Sequence, residues 1–101
     1  MPTIFSKGLI NSIYKKMNIT SKSRCKNQNP DDTTNRKICQ SQAMADNARI
    51  MIGKLKAQKA GCNKTPNPDK CMKTIDELLL YLEEKQKEYQ DDADQIKELD
   101  G

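Results

Sequence analysis

Apolar residues recur in three stretches of this chain, each at the spacing of a helix rather than a strand. In the first, Ile4, Phe5, Leu9, Ile10, Ile13, Tyr14 and Met17 fall near one face, with Lys7, Ser12, Lys15 and Lys16 opposite. The pattern predicts an amphipathic helix over residues 3–18, with Pro2 tolerated at its start and Gly8 weakening it modestly. Residues 18–28 lose the period and cluster Ser, Thr, Lys and Asn, which predicts a loop. A second helix is expected over about 34–60, its seam built by Met44, Ala48, Met51 and Leu55 and widened by Ile38 and Ile52. Gly61 offers it a stop, and residues 61–68 read as a turn.

The third stretch has the clearest pattern. Asn67 can cap a helix, Pro68 suits its first position, and Asp69 suits its positive end. Ile75, Leu82, Tyr89 and Ile96 then recur every seven residues, with Leu79, Gln86 and Ala93 in the complementary positions. This heptad stripe runs through about residue 98. The short connection between the second and third helices predicts an antiparallel hairpin, the third helix longer and its acidic end protruding. The expected fold is all-α: an amphipathic N-terminal helix, then a disulfide-stapled antiparallel helical hairpin. Residues 1–24 would form the basic helix and linker, and residues 25–101 the hairpin.

Composition explains why staples are needed. Only 35% of the chain is hydrophobic and 4% aromatic, so the core must be thin. Four cysteines supply reinforcement, spaced Cys25-x13-Cys39 and Cys62-x8-Cys71. Each pair encloses an Asn-Pro-Asp, at 29–31 and 67–69, as in a weak internal repeat. A helix over residues 39–60 would hold Cys39 and Cys62 on the order of 33 Å apart, whereas a disulfide needs Cα atoms within about 7 Å. That disfavours 39–62 and leaves 25–39 with 62–71 as the expected pairing. The alternative of 25–62 with 39–71 would have to bridge both ends of the second helix. Zinc is a weaker rival, because structural zinc sites usually show paired C-x2–4-C knuckles. Free thiols in a reduced cytosol remain the plain alternative.

Charge is segregated along the chain. Residues 1–30 carry Lys7, Lys15, Lys16, Lys22, Arg24 and Lys26 and no acid, while residues 76–101 carry ten acids against three lysines. Such a gradient suits two different contact surfaces. The chain contains no histidine, the commonest general base and a favoured metal ligand. The carboxylate neighbours Glu83-Glu84 and Asp91-Asp92 diverge by about 100° on a helix and do not converge on one atom. An enzyme is therefore not expected, and neither is a cofactor. No run approaches the ~20 apolar residues of a membrane span. Lys7, Asn11, Lys15 and Lys16 interrupt any secretory h-region, so a secretory leader is not expected. The basic first helix has three readings: a mitochondrial targeting helix, a segment lying on an anionic membrane surface through residues 3–18, or a helix packed on the fold. Nucleic acid is discounted, since no reader motif or aromatic interleaving accompanies the cations.

Four cysteines on a small helical hairpin without a signal peptide resemble the coiled-coil-helix–coiled-coil-helix proteins of the mitochondrial intermembrane space, over roughly residues 25–75. The resemblance implies oxidative import, two disulfides and service as an accessory subunit of a respiratory complex. Those proteins clamp two C-x9-C helices together; here the spacings are thirteen and eight, and Pro30, Pro66 and Pro68 fall where that family has helix. Residues 25–49, with Cys25, Lys26, Asn27, Pro30, Cys39, Ala43, Ala45 and Ala48, also resemble the entry-exclusion lipoproteins of conjugative plasmids. The lipid-bearing cysteine of that family has no counterpart near the start of this sequence.

Two functional classes follow. One is an accessory subunit of a larger, membrane-associated mitochondrial assembly. The other is a periplasmic exclusion, immunity or inhibitor module with a single protein target. Ile4, Phe5, Leu9, Ile13 and Met17 of the first helix, and Leu79, Leu82, Tyr89 and Ile96 of the third, are the expected contact residues.

Overall fold

Three α-helices and one short 3-10 turn make up the protein: α1 (Lys7–Gln28), α2 (Thr33–Lys59), the turn Cys62–Lys64, and α3 (Pro68–Asp100). The structure is a computed structural model and describes residues 7–100. The start of the expected first helix, with Pro2, Ile4 and Phe5, lies outside the described residues.

The expected first helix is too short by ten residues. α1 continues through the polar stretch 18–28 that composition marks as a loop. Tertiary contacts explain the difference. Asn47 on α2 is buried and donates through Nδ2 to Asn18 Oδ1 at 3.0 Å and to Ser21 Oγ at 3.1 Å. Cys25, one turn further, is buried and bonded to α2. Asn18 and Ser21 are thus satisfied against a neighbouring helix, which removes their reason to compete with the helical backbone. α1 stops where it must: Asn29 precedes Pro30, and the residue before proline is pushed out of the helical region. Asn29 N and Nδ2 both donate to the Cys25 carbonyl, and Arg36 reaches back to the carbonyls of Asn29 and Pro30.

α2 starts on Asp32, whose side chain accepts from Asn35 N at 3.0 Å and from Asn35 Nδ2 at 2.6 Å. It ends before Gly61 as expected, though without a left-handed residue. The chain instead tightens into the 3-10 turn and is forced extended at Thr65, the residue before Pro66. Asn67 Oδ1 then accepts from Lys70 N at 3.1 Å, so α3 opens with the expected cap and with Pro68 as its first residue. The two Asn-Pro-Asp tripeptides are therefore not equivalent. The first follows the end of α1, and Asp32 rather than Asn29 caps α2; the second opens α3 directly.

α2 and α3 form the antiparallel hairpin, and α1 packs antiparallel on α2. The hairpin register is marked at one end by Lys59 Nζ–Asp76 Oδ1 at 2.7 Å and further along by paired amides of Gln42 and Gln90 at 2.8 Å. Continued, that register lays Asp92–Leu99 beside Lys37–Met44, as their shared groove shows. The acidic end of α3 therefore does not protrude; the extra length of the helix falls in its first turns. The molecule is a rod of 52 × 24 × 17 Å with a radius of gyration of 16.2 Å. About 13 Å would be usual for a chain of this length, and the long axis matches α3 at ~1.5 Å per residue.

The core follows the two seams. Ala48, Met51, Ile52 and Leu55 of α2 pack with Ile75, Leu78, Leu79 and Leu82 of α3, and α1 adds Ile10 and Tyr14. Leu78 lies off the heptad stripe yet is 1% exposed. The stripe alone describes a two-helix seam, and a third helix on the hairpin widens the buried face of α3.

Candidate functional site

Each disulfide closes one helix–helix junction. Cys25 near the end of α1 pairs with Cys39 in the second turn of α2; Cys62 of the 3-10 turn pairs with Cys71 in the first turn of α3. Both bridges have Cα atoms 5.6 Å apart, inside the range a disulfide requires. The pairing is the one expected from spacing, and no cysteine is left as a thiol. Both bonds span a turn rather than clamping two helices along their length.

The stripe residues assigned to contacts divide into four groups. Leu82 is fully buried and Leu79 nearly so, and Met17 and Tyr89 pack against the core. These four are used inside the molecule. Leu9 and Ile13 stay partly outside, at 40% and 37% exposed. Ile96 is half-buried and lines an open groove. Ile4 and Phe5 lie outside the described residues.

The groove has a volume of about 330 Å³ and is open to solvent. Its floor is Lys37, Gln40, Ser41 and Met44 of α2, and its walls are Lys22 of α1 and Asp92, Gln95, Ile96 and Leu99 of α3. It lies where α1 packs on α2 and meets α3 only sparsely. Leu99 is 90% exposed and stands at its rim. Neither Leu99 nor the groove was flagged by the heptad pattern, which ends at Ile96; an apolar residue one turn past Gln95 was the available signal.

Burial is tighter around Tyr14. Tyr14 is buried, and its hydroxyl donates to the Met44 carbonyl at 3.1 Å. Burial pushes its pKa up to about 12, helped by Tyr89, Tyr81 and Glu88 nearby and opposed by a hydrogen bond with Asn18. Lys85, with Glu88 beside it at 3.5 Å, is held above the ordinary lysine value, and its ammonium sits 5.8 Å from the Tyr81 ring. These are surface and packing interactions that fix side chains; they present no nucleophile beside a base. Among the described residues no group of three or more His, Cys, Asp or Glu is placed to hold a metal ion. No helix of the described residues is long and apolar enough to cross a membrane. No protein-family model, curated protein or solved structure matches the chain.

Proposed function

We propose that this is a non-enzymatic interaction protein, an accessory component of a larger assembly in an oxidising compartment. The observation that carries the reading is the open groove between α1 and α3, with Met44, Ile96 and Leu99 presenting apolar surface along it. A helix from a partner protein is the occupant such a groove suits, seating its apolar side against these residues. The two disulfides support an oxidising location, since cytosolic thiols are kept reduced. The mitochondrial intermembrane space is the compartment proposed, in line with the four-cysteine helical resemblance. The test is co-migration: the protein from its native source should run in a complex much larger than 11.5 kDa on a native gel. Met44→Asp and Leu99→Asp should release it, and migration as a monomer before and after these changes would refute the reading.

A second reading rests on a different observation. Ile10 and Tyr14 of α1 join Ala48, Met51, Leu55 and the α3 residues in one core, so all three helices share it. A self-sufficient bundle suits a stand-alone exclusion, immunity or inhibitor module in a bacterial periplasm. It requires one-to-one binding to a single target, and a large multi-subunit assembly would count against it.

A further inference from the structure

We propose that the outward face of α1 is a peripheral membrane-binding surface for anionic phospholipid. The inference goes beyond the groove-based reading and uses a different face. Ile10, Tyr14, Met17, Ser21 and Cys25 repeat at helical spacing and turn inward, buried or half-buried. The other half of the circumference is exposed and holds Lys15, Lys16 and Lys26, whereas Lys22 lines the groove and Arg24, one heptad past Met17, is exposed at the inward edge. Ion pairs among the described residues are Arg49–Asp46, Lys59–Asp76 and Lys85–Glu88, and none involves α1. Residues 1–30 contain no acid that could compensate these charges. The acids of the chain are concentrated on α3, whereas α1 rests on α2. Three cations are thus held on the outward face of one rigid helix with no ion pair among the described residues, and the complementary surface is anionic.

Side chains between the cations decide which anionic surface fits. Ile19 is 66% exposed and Ile13 37% exposed on this same half, with Ser12, Thr20 and Ser23 around them. An aliphatic side chain gains nothing against a nucleic-acid backbone, but at a bilayer it enters the boundary of headgroups and acyl chains while neighbouring lysines stay with the phosphates. Nucleic acid without sequence preference would call instead for aromatic stacking partners, and this face has none among the described residues. Each cation near an anionic bilayer strengthens binding roughly fivefold, and the effect dies within a Debye length. Binding should accordingly be reversible and salt-sensitive, and orient the rod with α1 toward the lipid.

The test uses the full oxidised chain and co-sedimentation with vesicles of phosphatidylcholine, alone or with about one-third phosphatidylserine. The expected result is pelleting with the anionic vesicles only, abolished at about 0.5 M NaCl. Lys15→Gln, Lys16→Gln and Lys26→Gln combined should weaken binding roughly a hundredfold, and Ile19→Ser several-fold, with the helical circular-dichroism spectrum unchanged. Equal binding to neutral vesicles, an unaffected triple variant, or transfer of the protein from vesicles to a duplex oligonucleotide at equal phosphate concentration would each overturn the proposal. All four substitutions avoid the groove. Failure here therefore leaves co-migration with an assembly intact, and loss of co-migration leaves vesicle binding intact.

Discussion

Replacing Cys25 and Cys39 by alanine removes the bond that ties α1 to α2. The cross-link spans a sequence separation of 14, and closing a loop of that length lowers the entropy of the unfolded chain by the equivalent of about 3 kcal/mol at 25 °C. The buried Sγ of Cys25 adds up to about 1 kcal/mol of lost packing. Small domains have roughly 5–15 kcal/mol in total, so this single change should take a large share. The damage should also be local. α1 contributes few large side chains to the core, while Ala48, Met51, Leu55, Ile75, Leu78 and Leu82 hold α2 and α3 together without it. Urea titration followed by far-ultraviolet circular dichroism gives the total, and amide hydrogen exchange gives its distribution. Protection in α1 should fall on the order of a hundredfold, with amides around Ile75–Leu82 affected only through the lower global stability. The Cys62→Ala, Cys71→Ala pair, with separation 9, should cost about 2.7 kcal/mol without selectively releasing α1. A loss below about 1 kcal/mol in the first variant, or equal loss of protection in all three helices, would refute the view of α1 as a stapled addition to the hairpin.

Other consequences follow from single positions. Leu82 is fully buried and Leu80 is 62% exposed; Leu82→Ala should cost about 2–5 kcal/mol in chemical denaturation and Leu80→Ala less than about 0.5. Asn67→Ala deletes the cap on Lys70 N and should cost about 1 kcal/mol, measurable as a lower urea midpoint at unchanged slope. Tyr14 predicts a pH dependence: with its folded pKa raised from 10.0 to about 12, its stabilisation is complete below pH 10 and is lost as pH rises toward 12. That loss is on the order of 2 kcal/mol. Tyr14→Phe forfeits the bond to Met44, about 1 kcal/mol, but does not titrate. It should be less stable than wild type at about pH 8 and more stable near 12, and parallel stability curves would contradict the assignment.

Legibility in the sequence tracked how local the determining physics was. The start of α3 could be read because cap, proline and acid act within one turn, and its seam because Ile75, Leu79, Leu82 and Ala93 serve a neighbouring antiparallel helix. Both staples were readable from chain geometry. The second half of α1 was not, because Asn18 and Ser21 are helical only in partnership with Asn47, twenty-six or more residues away. A polar stretch satisfied by a distant amide has the composition of a loop. Leu78 was missed for the related reason that a third helix broadens the buried face. The surface divided in the same way. Leu79 and Leu82 were available to either the hairpin or a partner, and the hairpin takes them. The groove depends on how α1 and α3 diverge, which no periodicity encodes. The basic face of α1 was visible as charge, but its outward half could be separated from its inward half only once the packing was known.

A helical bundle stapled at both of its junctions requires both bonds to be present in the native protein, as the proposed oxidising compartment would allow. Non-reducing proteolysis of the protein from its native source, with linked peptides identified by mass, tests it most directly. The expected result is one linkage joining Cys25 to Cys39 and one joining Cys62 to Cys71. Cys25–Cys71 with Cys39–Cys62, or four thiols that alkylate freely, would contradict it.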